Sequence, residues 1–305
     1  MSAAVTEICP DSTKPCPICS VTATTYSKAR ILRKRPTNIL CCPSCSFVFL
    51  DPVYWLKEAY GSAISPLDVG HISRNGACAD YLQTVLDFTT GPDDFFVDYG
   101  GGTGLLVRLM RDRGFHFHLL DPYAPNLFAP YFCVDRGRFS YRALTAVEVF
   151  EHLENPVQSV SEMHSLSDCI LFTTEVTPTA MPRPSEWSYF GFEHGQHVGF
   201  YSSTSLSRLA ARFQLTYTRL SSSWHAFHTL EEPIVRHALK YGNRPGLMRR
   251  LERRFARKAP TSLRSGLLER DYQVIRELLE TQEHNETAAG AGPCLDIASD
   301  PRVGS

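Results

Sequence analysis

Between Phe95 and Met110 the chain reads FFVDYGGGTGLLVRLM, with four glycines in the five positions from Gly100 to Gly104, set between two apolar runs. Few folds accept that density. Glycine loses more conformational freedom on folding than any other residue, so it clusters where the backbone must turn left-handed or let something approach closely. An apolar strand ending in an acid, followed by glycines and then a helix, is the nucleotide-binding corner of a parallel α/β sheet. The positive end of the helix dipole favours negative charge at that corner.

The rest of the chain supports that sheet. ACADYLQTVLDFTT carries apolar residues at helical spacing and stops at the turn GPDD. After the glycine loop, FHFHLLD and ALTAVEVF read as strands, PVQSVSEMHSLS as a helix, DCILFTTEV as a strand, SSTSLSRLAARF as a helix and QLTYTRLSS as a late strand. Strands alternating with helices of this length predict an α/β fold, Rossmann-like and doubly wound, with a mostly parallel sheet. We expect that domain over residues 61–230, preceded by a polar tail (1–15) and a cysteine-bearing module (16–60). A basic helical extension (231–283) and a small, polar tail (284–305) follow it.

Spacing discriminates between ligands of the loop. A dinucleotide fingerprint requires glycine or alanine three residues beyond the second glycine, and that position is Leu105. A phosphate loop requires Gly-Lys-Ser/Thr, and no lysine lies nearby. What remains is Asp98-x-Gly100-x-Gly102-x-Gly104, with Asp121 closing the next strand, where an acid accepts hydrogen bonds from two ribose hydroxyls.

VDYGGGTG resembles the first motif of class I S-adenosylmethionine-dependent methyltransferases. LLDPY, AVEVFEHLENP and EHGQHVGFYSSTSLSRLAARF are similar, in the same order, to later segments of the ubiquinone-biosynthesis-like branch of that family. The resemblance implies S-adenosylmethionine as cofactor, bound over Gly100, Gly101, Gly102 and Gly104. It also implies that Asp98 orients the loop or the ligand's ammonium group, that Asp121 holds the ribose and that Glu148 lies near the methionine end. Asp135 is a candidate for the adenine.

Ten cysteines in a chain without a secretory leader suggest a reducing, cytoplasmic setting, in which clustered cysteines are metal ligands before they are disulfides. Cys16-Pro-Ile-Cys19 and Cys42-Pro-Ser-Cys45 are two CxxC pairs separated by 22 residues. Tetrahedral zinc needs four converging soft ligands, and each CxxC turn presents two sulfurs. Structural zinc is therefore expected on Cys16, Cys19, Cys42 and Cys45, with Cys41 as one alternative ligand. The competing readings are reduced turns without an ion or a redox dithiol. The second is disfavoured because neither pair opens a βαβ helix. CPSCSFVFLDPVYW also resembles the zinc module that precedes sugar C-methyltransferases. That resemblance implies that Tyr54, Trp55 and Tyr60 line the pocket, against the alternative that they fill core.

A hydroxyl acceptor needs its proton removed as the new bond forms, a task suited to histidine. His152, His194, His197, His225 and His228 are the candidates. By position and by resemblance His197 is favoured as base and His152 is next, with Glu151 and Glu193 available to orient them. Trp187 and Tyr189 offer a wall for a sugar ring. The chain carries only about 75 residues after this core, which favours O-methylation of a sugar, glycan or related small metabolite over C-methylation.

Two other readings stay open. Residues 236–258 hold nine Lys or Arg, which suits RNA or a peripheral anionic surface, so an RNA methyltransferase is one alternative. A formal net charge of −1 argues against a large nucleic-acid footprint, and no apolar run reaches the roughly 20 residues of a membrane span. A non-catalytic scaffold that keeps the cofactor is the other.

Overall fold

The computed structural model describes residues 10–60, 69–178, 181–241 and 264–285, and in it each CxxC pair is the loop of a hairpin. Strands β1 (Thr13–Pro15), β2 (Thr22–Ile31), β3 (Arg35–Cys41) and β4 (Val48–Asp51) form an antiparallel meander. Regular pairing thus begins at Thr13, inside the stretch expected as a tail. The short helix α1 (Leu56–Ala59) follows. Next come α2 (His71–Leu86), β5 (Phe95–Tyr99), α3 (Leu105–Asp112), β6 (His116–Leu120) and β7 (Tyr141–Ala146). The chain continues through α4 (Pro156–His164), β8 (Ile170–Thr173), β9 (Gly199–Phe200), α5 (Ser203–Ala211), β10 (Thr216–Arg219) and β11 (Trp224–His228). It closes with α6 (Pro233–Tyr241) and α7 (Leu268–Asn285). Most of the basic run 236–258 and the segment 286–305 lie outside the described residues.

The chain divides into two compact units, Met1–Pro66 with Ala146–Leu230 and Leu67–Thr145 with Glu231–Ser305. The division falls elsewhere than at residue 60, and strand pairing gives the reason. In the first unit β9 pairs antiparallel with β4, through Val48↔Phe200 and Phe49↔Gly199. Gly199 and Phe200, which fall within the span expected for the α/β domain (61–230), therefore complete the N-terminal sheet, in the order β1-β2-β3-β4-β9. Gly199 permits this approach, because a side chain there would meet the Phe47 ring at 3.2 Å. Behind it Ile31, Ile39, Val48, Leu50, Trp55, Phe190 and Phe200 form one buried cluster. Trp55 is core, 2% exposed, and its indole N–H donates to the Gly195 carbonyl at 2.8 Å.

The same unit carries β8, β11 and β10 as an antiparallel run. β11 does not stand out in the sequence, since WHAFH is buried at all five positions and shows no alternation. Phe150 and Phe172 stack with ring centroids 3.8 Å apart, and Phe227 meets both edge to face. Full burial of one such ring stabilises the fold by about 2–3 kcal/mol. α4 starts where its sequence says it should: Asn155 accepts a hydrogen bond from the Gln158 N–H, and proline occupies the first turn. α5 is held by a Ser202–Ser205 capping box.

In the second unit β5 lies between β6 and β7 and runs parallel to both. Parallel neighbours require crossovers, and α3 supplies the one between β5 and β6. This is the α/β, Rossmann-like arrangement expected from the alternation. α7 is tied down by a buried ion pair, with Arg111 donating to both oxygens of Asp271 at 2.7 and 2.8 Å. Arg264 reinforces the tie by donating to the Thr90 carbonyl at 2.9 Å.

Candidate active site

The glycine loop leaves β5 at Tyr99 and enters α3 at Leu105. Gly100, Gly102 and Gly104 have φ of 67°, 59° and 82°, left-handed values that only glycine adopts without strain. Gly101 is glycine for another reason: a Cβ there would lie 2.2 Å from Asp98 Oδ2 and 2.7 Å from Leu119 Cδ1. Above Gly102, by contrast, nothing lies within 4 Å of where a Cβ would point, so the loop presents an open face.

Two acids brace the loop. Asp98 is buried at the end of β5, where its Oδ1 accepts from Thr145 Oγ1 at 2.8 Å, across the parallel register that pairs the two residues. Its Oδ2 has no partner among the described residues. Burial pushes this carboxyl up to about 7, against the Thr145 hydrogen bond, with the Asp121 charge adding to the rise. A cationic group brought near would be welcome there. Asp121 accepts from the Gly102 N–H at 2.8 Å through Oδ2, and from Tyr123 and Ala124 N–H through Oδ1. Oδ1 is filled by its two donors, while Oδ2 keeps a second lone pair for a hydroxyl donor. Open backbone, an unpartnered buried carboxylate oxygen and an acid with spare acceptor capacity together suit an amino-acid nucleoside. Asp135 accepts from its own turn, the Gly137 and Arg138 N–H groups, as an Asx turn does.

A second constellation stands in the other unit. Glu148, expected at the end of a strand, lies two residues past β7 with φ of 55°. Its N–H donates to Thr173 Oγ1, and Thr173 donates back to its carboxylate, both at 2.8 Å. Glu151 is fully buried and accepts from Thr174 Oγ1 at 3.2 Å; Thr174 in turn shares a hydrogen bond of 3.0 Å with the Tyr189 hydroxyl. Burial, with a contribution from the Glu148 charge, pushes Glu151 up to about 8.

Hydrogen-bond partners sort the five histidines. A carbonyl oxygen only accepts, so any ring nitrogen bonded to one carries the proton. His225 donates from Nε2 to the Thr174 carbonyl while its Nδ1 lies 3.0 Å from the Tyr217 hydroxyl. His228 donates from Nδ1 to the Thr229 carbonyl, and its Nε2 lies 2.8 Å from Thr218 Oγ1. Both rings are fully used within or beside β11, which removes them as bases. His194 accepts the Gln196 N–H at Nδ1, and its other edge presses against Gly191. His197 and His152 differ. His197 donates from Nδ1 to the Tyr189 carbonyl at 2.6 Å, and His152 from Nδ1 to the Gln196 carbonyl at 3.0 Å. In both, the lone pair is left on Nε2, for which the described residues provide no hydrogen bond.

The two rings meet edge to face with centroids 5.0 Å apart, and one donor atom each from Glu151, His152 and His197 lie within 4.8 Å of one another. Burial lowers His197 to about 3 and His152 to about 4, which keeps both neutral at physiological pH. Of the aromatic residues expected to line a pocket, Tyr60 reaches this cluster, its hydroxyl 2.9 Å from His152 Nδ1. Tyr189 lies tilted beside His197, with ring centroids 4.8 Å apart, and Trp187 lies tilted beside Tyr189 at 5.3 Å. Glu193 does not orient the histidines; it is exposed and pairs with Arg33 at 3.4 Å.

Residues 71–220 match a family model described as a methyltransferase domain. The match spans 150 of the 305 residues, and by it the chain is a methyltransferase. Among solved structures it is similar to magnesium protoporphyrin IX methyltransferase from Synechocystis PCC 6803 with bound SAH, at 12% identity and a TM-score of 0.37, over 57% of this chain and 93% of that one. It is also similar to human N-acetylserotonin methyltransferase in complex with SAM, at 12% identity and a TM-score of 0.39, over 59% of each chain. A third is the O-methyltransferase NcsB1 from neocarzinostatin biosynthesis, at 13% identity and a TM-score of 0.39, over 58% of this chain and 61% of that one. At such scores these likenesses carry no part of the argument. Among proteins with curated descriptions, no match was found.

The methyltransferase's four paired cysteines converge. Cys16 and Cys45 sulfurs lie 3.6 Å apart, Cys19 and Cys42 3.4 Å, and Cys19 and Cys45 3.6 Å. Four sulfurs at about 2.3 Å from one ion stand about 3.8 Å apart, whereas a disulfide needs about 2.05 Å, so the set fits tetrahedral zinc. The two knuckles, CPICS and CPSCS, share one backbone. In each, the first cysteine's N–H bonds five residues ahead (Val21, Phe47), and its carbonyl accepts from the serine four ahead. In each, that serine is left-handed, with φ of 64° at Ser20 and 56° at Ser46. Cys41 stands outside the group.

Proposed function

We propose that this methyltransferase transfers a methyl group to a hydroxyl of a sugar, glycan or related small molecule, with His197 as the general base. The observation that carries this reading is the pinned tautomer of His197. Its Nδ1–H is held by the Tyr189 carbonyl, so Nε2 is an aimed, neutral acceptor of a proton. S-adenosylmethionine supplies a sulfonium-activated methyl group, and Asp98, the Gly100–Gly104 loop and Asp121 are the residues that would hold it. His197 Nε2 would take the acceptor's hydroxyl proton as that oxygen is methylated. The imidazolium then passes that proton to solvent.

The acceptor class rests on Trp187. Its indole N–H donates to the exposed Glu175 carboxylate at 3.1 Å, and its ring stands beside Tyr189. An aromatic face next to a carboxylate suits a sugar, which offers an apolar ring face and hydroxyl donors. We assign Cys16, Cys19, Cys42 and Cys45 to structural zinc. With four thiolates it has no open position and works in folding, within a cytoplasmic enzyme.

Incubation with radiolabelled cofactor and a panel of nucleotide sugars, oligosaccharides and RNA tests the reading. Label entering a carbohydrate, and lost in His197→Ala while cofactor still binds, supports it. Label entering RNA alone would replace it.

A further inference from the structure

The methyltransferase holds three potential metal donors outside its cysteine knuckles. Glu151, His152 and His197 each offer one ligand atom within 4.8 Å of the others, a two-histidine, one-carboxylate set. An ion at the centre of a triangle with edges of 4.8 Å sits about 2.8 Å from each corner, so inward movements of about 0.7 Å reach the 2.0–2.2 Å of zinc–nitrogen and zinc–oxygen bonds.

Two further observations point to a ligand here. Glu151 Oε1 is buried without a hydrogen-bond partner among the described residues, a loss of solvation that an ion would repair. Each imidazole is oriented through Nδ1–H by a backbone carbonyl, Gln196 for His152 and Tyr189 for His197. That outer contact is the one that fixes metal-ligating histidines and leaves Nε2 for the ion. His194, although its ring is 4.6 Å from that of His197, has already committed Nδ1 to the Gln196 N–H. Two neutral imidazoles with one carboxylate favour a borderline transition ion over magnesium or calcium, which prefer all-oxygen sites.

We propose that Glu151, His152 and His197 bind a divalent transition-metal ion of the zinc type, and that its binding silences methyl transfer by taking up the His197 lone pair. The site stands on its own geometry; the silencing rests on the reading of His197 as base. Metal and proton compete for one nitrogen, so metal occupancy and turnover exclude each other.

The test uses the full-length protein with the cysteine site already filled, confirmed at one metal per chain, and titrates it with Co²⁺. The expected result is a second equivalent whose visible spectrum shows nitrogen and oxygen ligation without thiolate charge-transfer bands, and methyl transfer that falls with the same midpoint. Glu151→Gln and His152→Asn, both close in shape to the parent residue, weaken the second equivalent by about 10- to 100-fold and leave the first in place. Metal content that stays at one equivalent at millimolar Co²⁺ overturns the site, as does a second equivalent that both variants bind like the parent. A second equivalent that binds while transfer continues unchanged overturns the silencing. Should no acceptor be methylated at all, the Co²⁺ spectrum still decides the site, and the failure belongs to the reading of His197.

Discussion

The glycine loop and the Glu151–His152–His197 cluster are built in opposite ways. The loop is a backbone device, made of left-handed torsions and N–H groups braced by Asp98 and Asp121 within one short stretch and its neighbouring strand end. The cluster is a side-chain device assembled from residues 60, 151–152, 174 and 189–197, in which each ring is set by a carbonyl from elsewhere. A backbone device tolerates no added atoms but has no single indispensable functional group. A side-chain device tolerates reshaping until the one lone pair that matters is lost.

That contrast gives an order of effects. His197→Ala should lower kcat by about 10²–10⁴-fold, the usual worth of a general base, with the cofactor dissociation constant unchanged by calorimetry. Loss of cofactor binding instead would erase the difference between the two regions. Gly101→Ala should act on the other side. Its Cβ would stand 2.2 Å from Asp98 Oδ2, and overpacking of that kind costs about 1–3 kcal/mol, so cofactor affinity should fall by about 5- to 150-fold. Gly102→Ala sharpens the point, since its Cβ meets open space and only the left-handed torsion is strained, at about 1 kcal/mol. Thermal melts and cofactor titration of the two alanine variants should rank Gly101→Ala as the more damaging; the reverse order would mean that the open face is not where the ligand lies.

The smallest effect is a pH dependence. His152 and His197 have folded pKa values lowered to about 4 and about 3, below the 6.5 of an unfolded histidine. The unfolded chain therefore takes up protons first, and stability present above pH 6.5 is lost as pH falls through 6.5 toward those values. The limit is about 1.4 kcal/mol per pH unit for each ring. His152→Asn should flatten the decline of melting temperature between pH 6.5 and 5; an identical slope in parent and variant would show that the ring is protonated at no penalty.

How much of this was legible depends on how local each feature is. The loop could be read because Asp98, the glycines and Asp121 carry their meaning in spacing alone. Thr145, which supports Asp98, could not, because only the strand register places them side by side. The histidines could be listed but not sorted, since the choice lies in carbonyls up to 44 residues away. β11 escaped because a run buried at every position has no period to detect. The boundary drawn at residue 60 missed the pairing of β4 with β9 for the same reason: a two-residue strand leaves no pattern.

That pairing sets a timetable for the newborn chain. The edge of β4 emerges with Val48 and Phe49, yet Gly199 and Phe200, which cover it, are made about 150 residues later. At ~5–20 residues per second that is a wait of roughly 8–30 s with a sheet edge bare. During that interval the cysteine knuckles are the fastener available, since both are complete by Cys45. With zinc on the knuckles as proposed, a metal-poor cell should therefore harm this enzyme during its synthesis more than after it is finished.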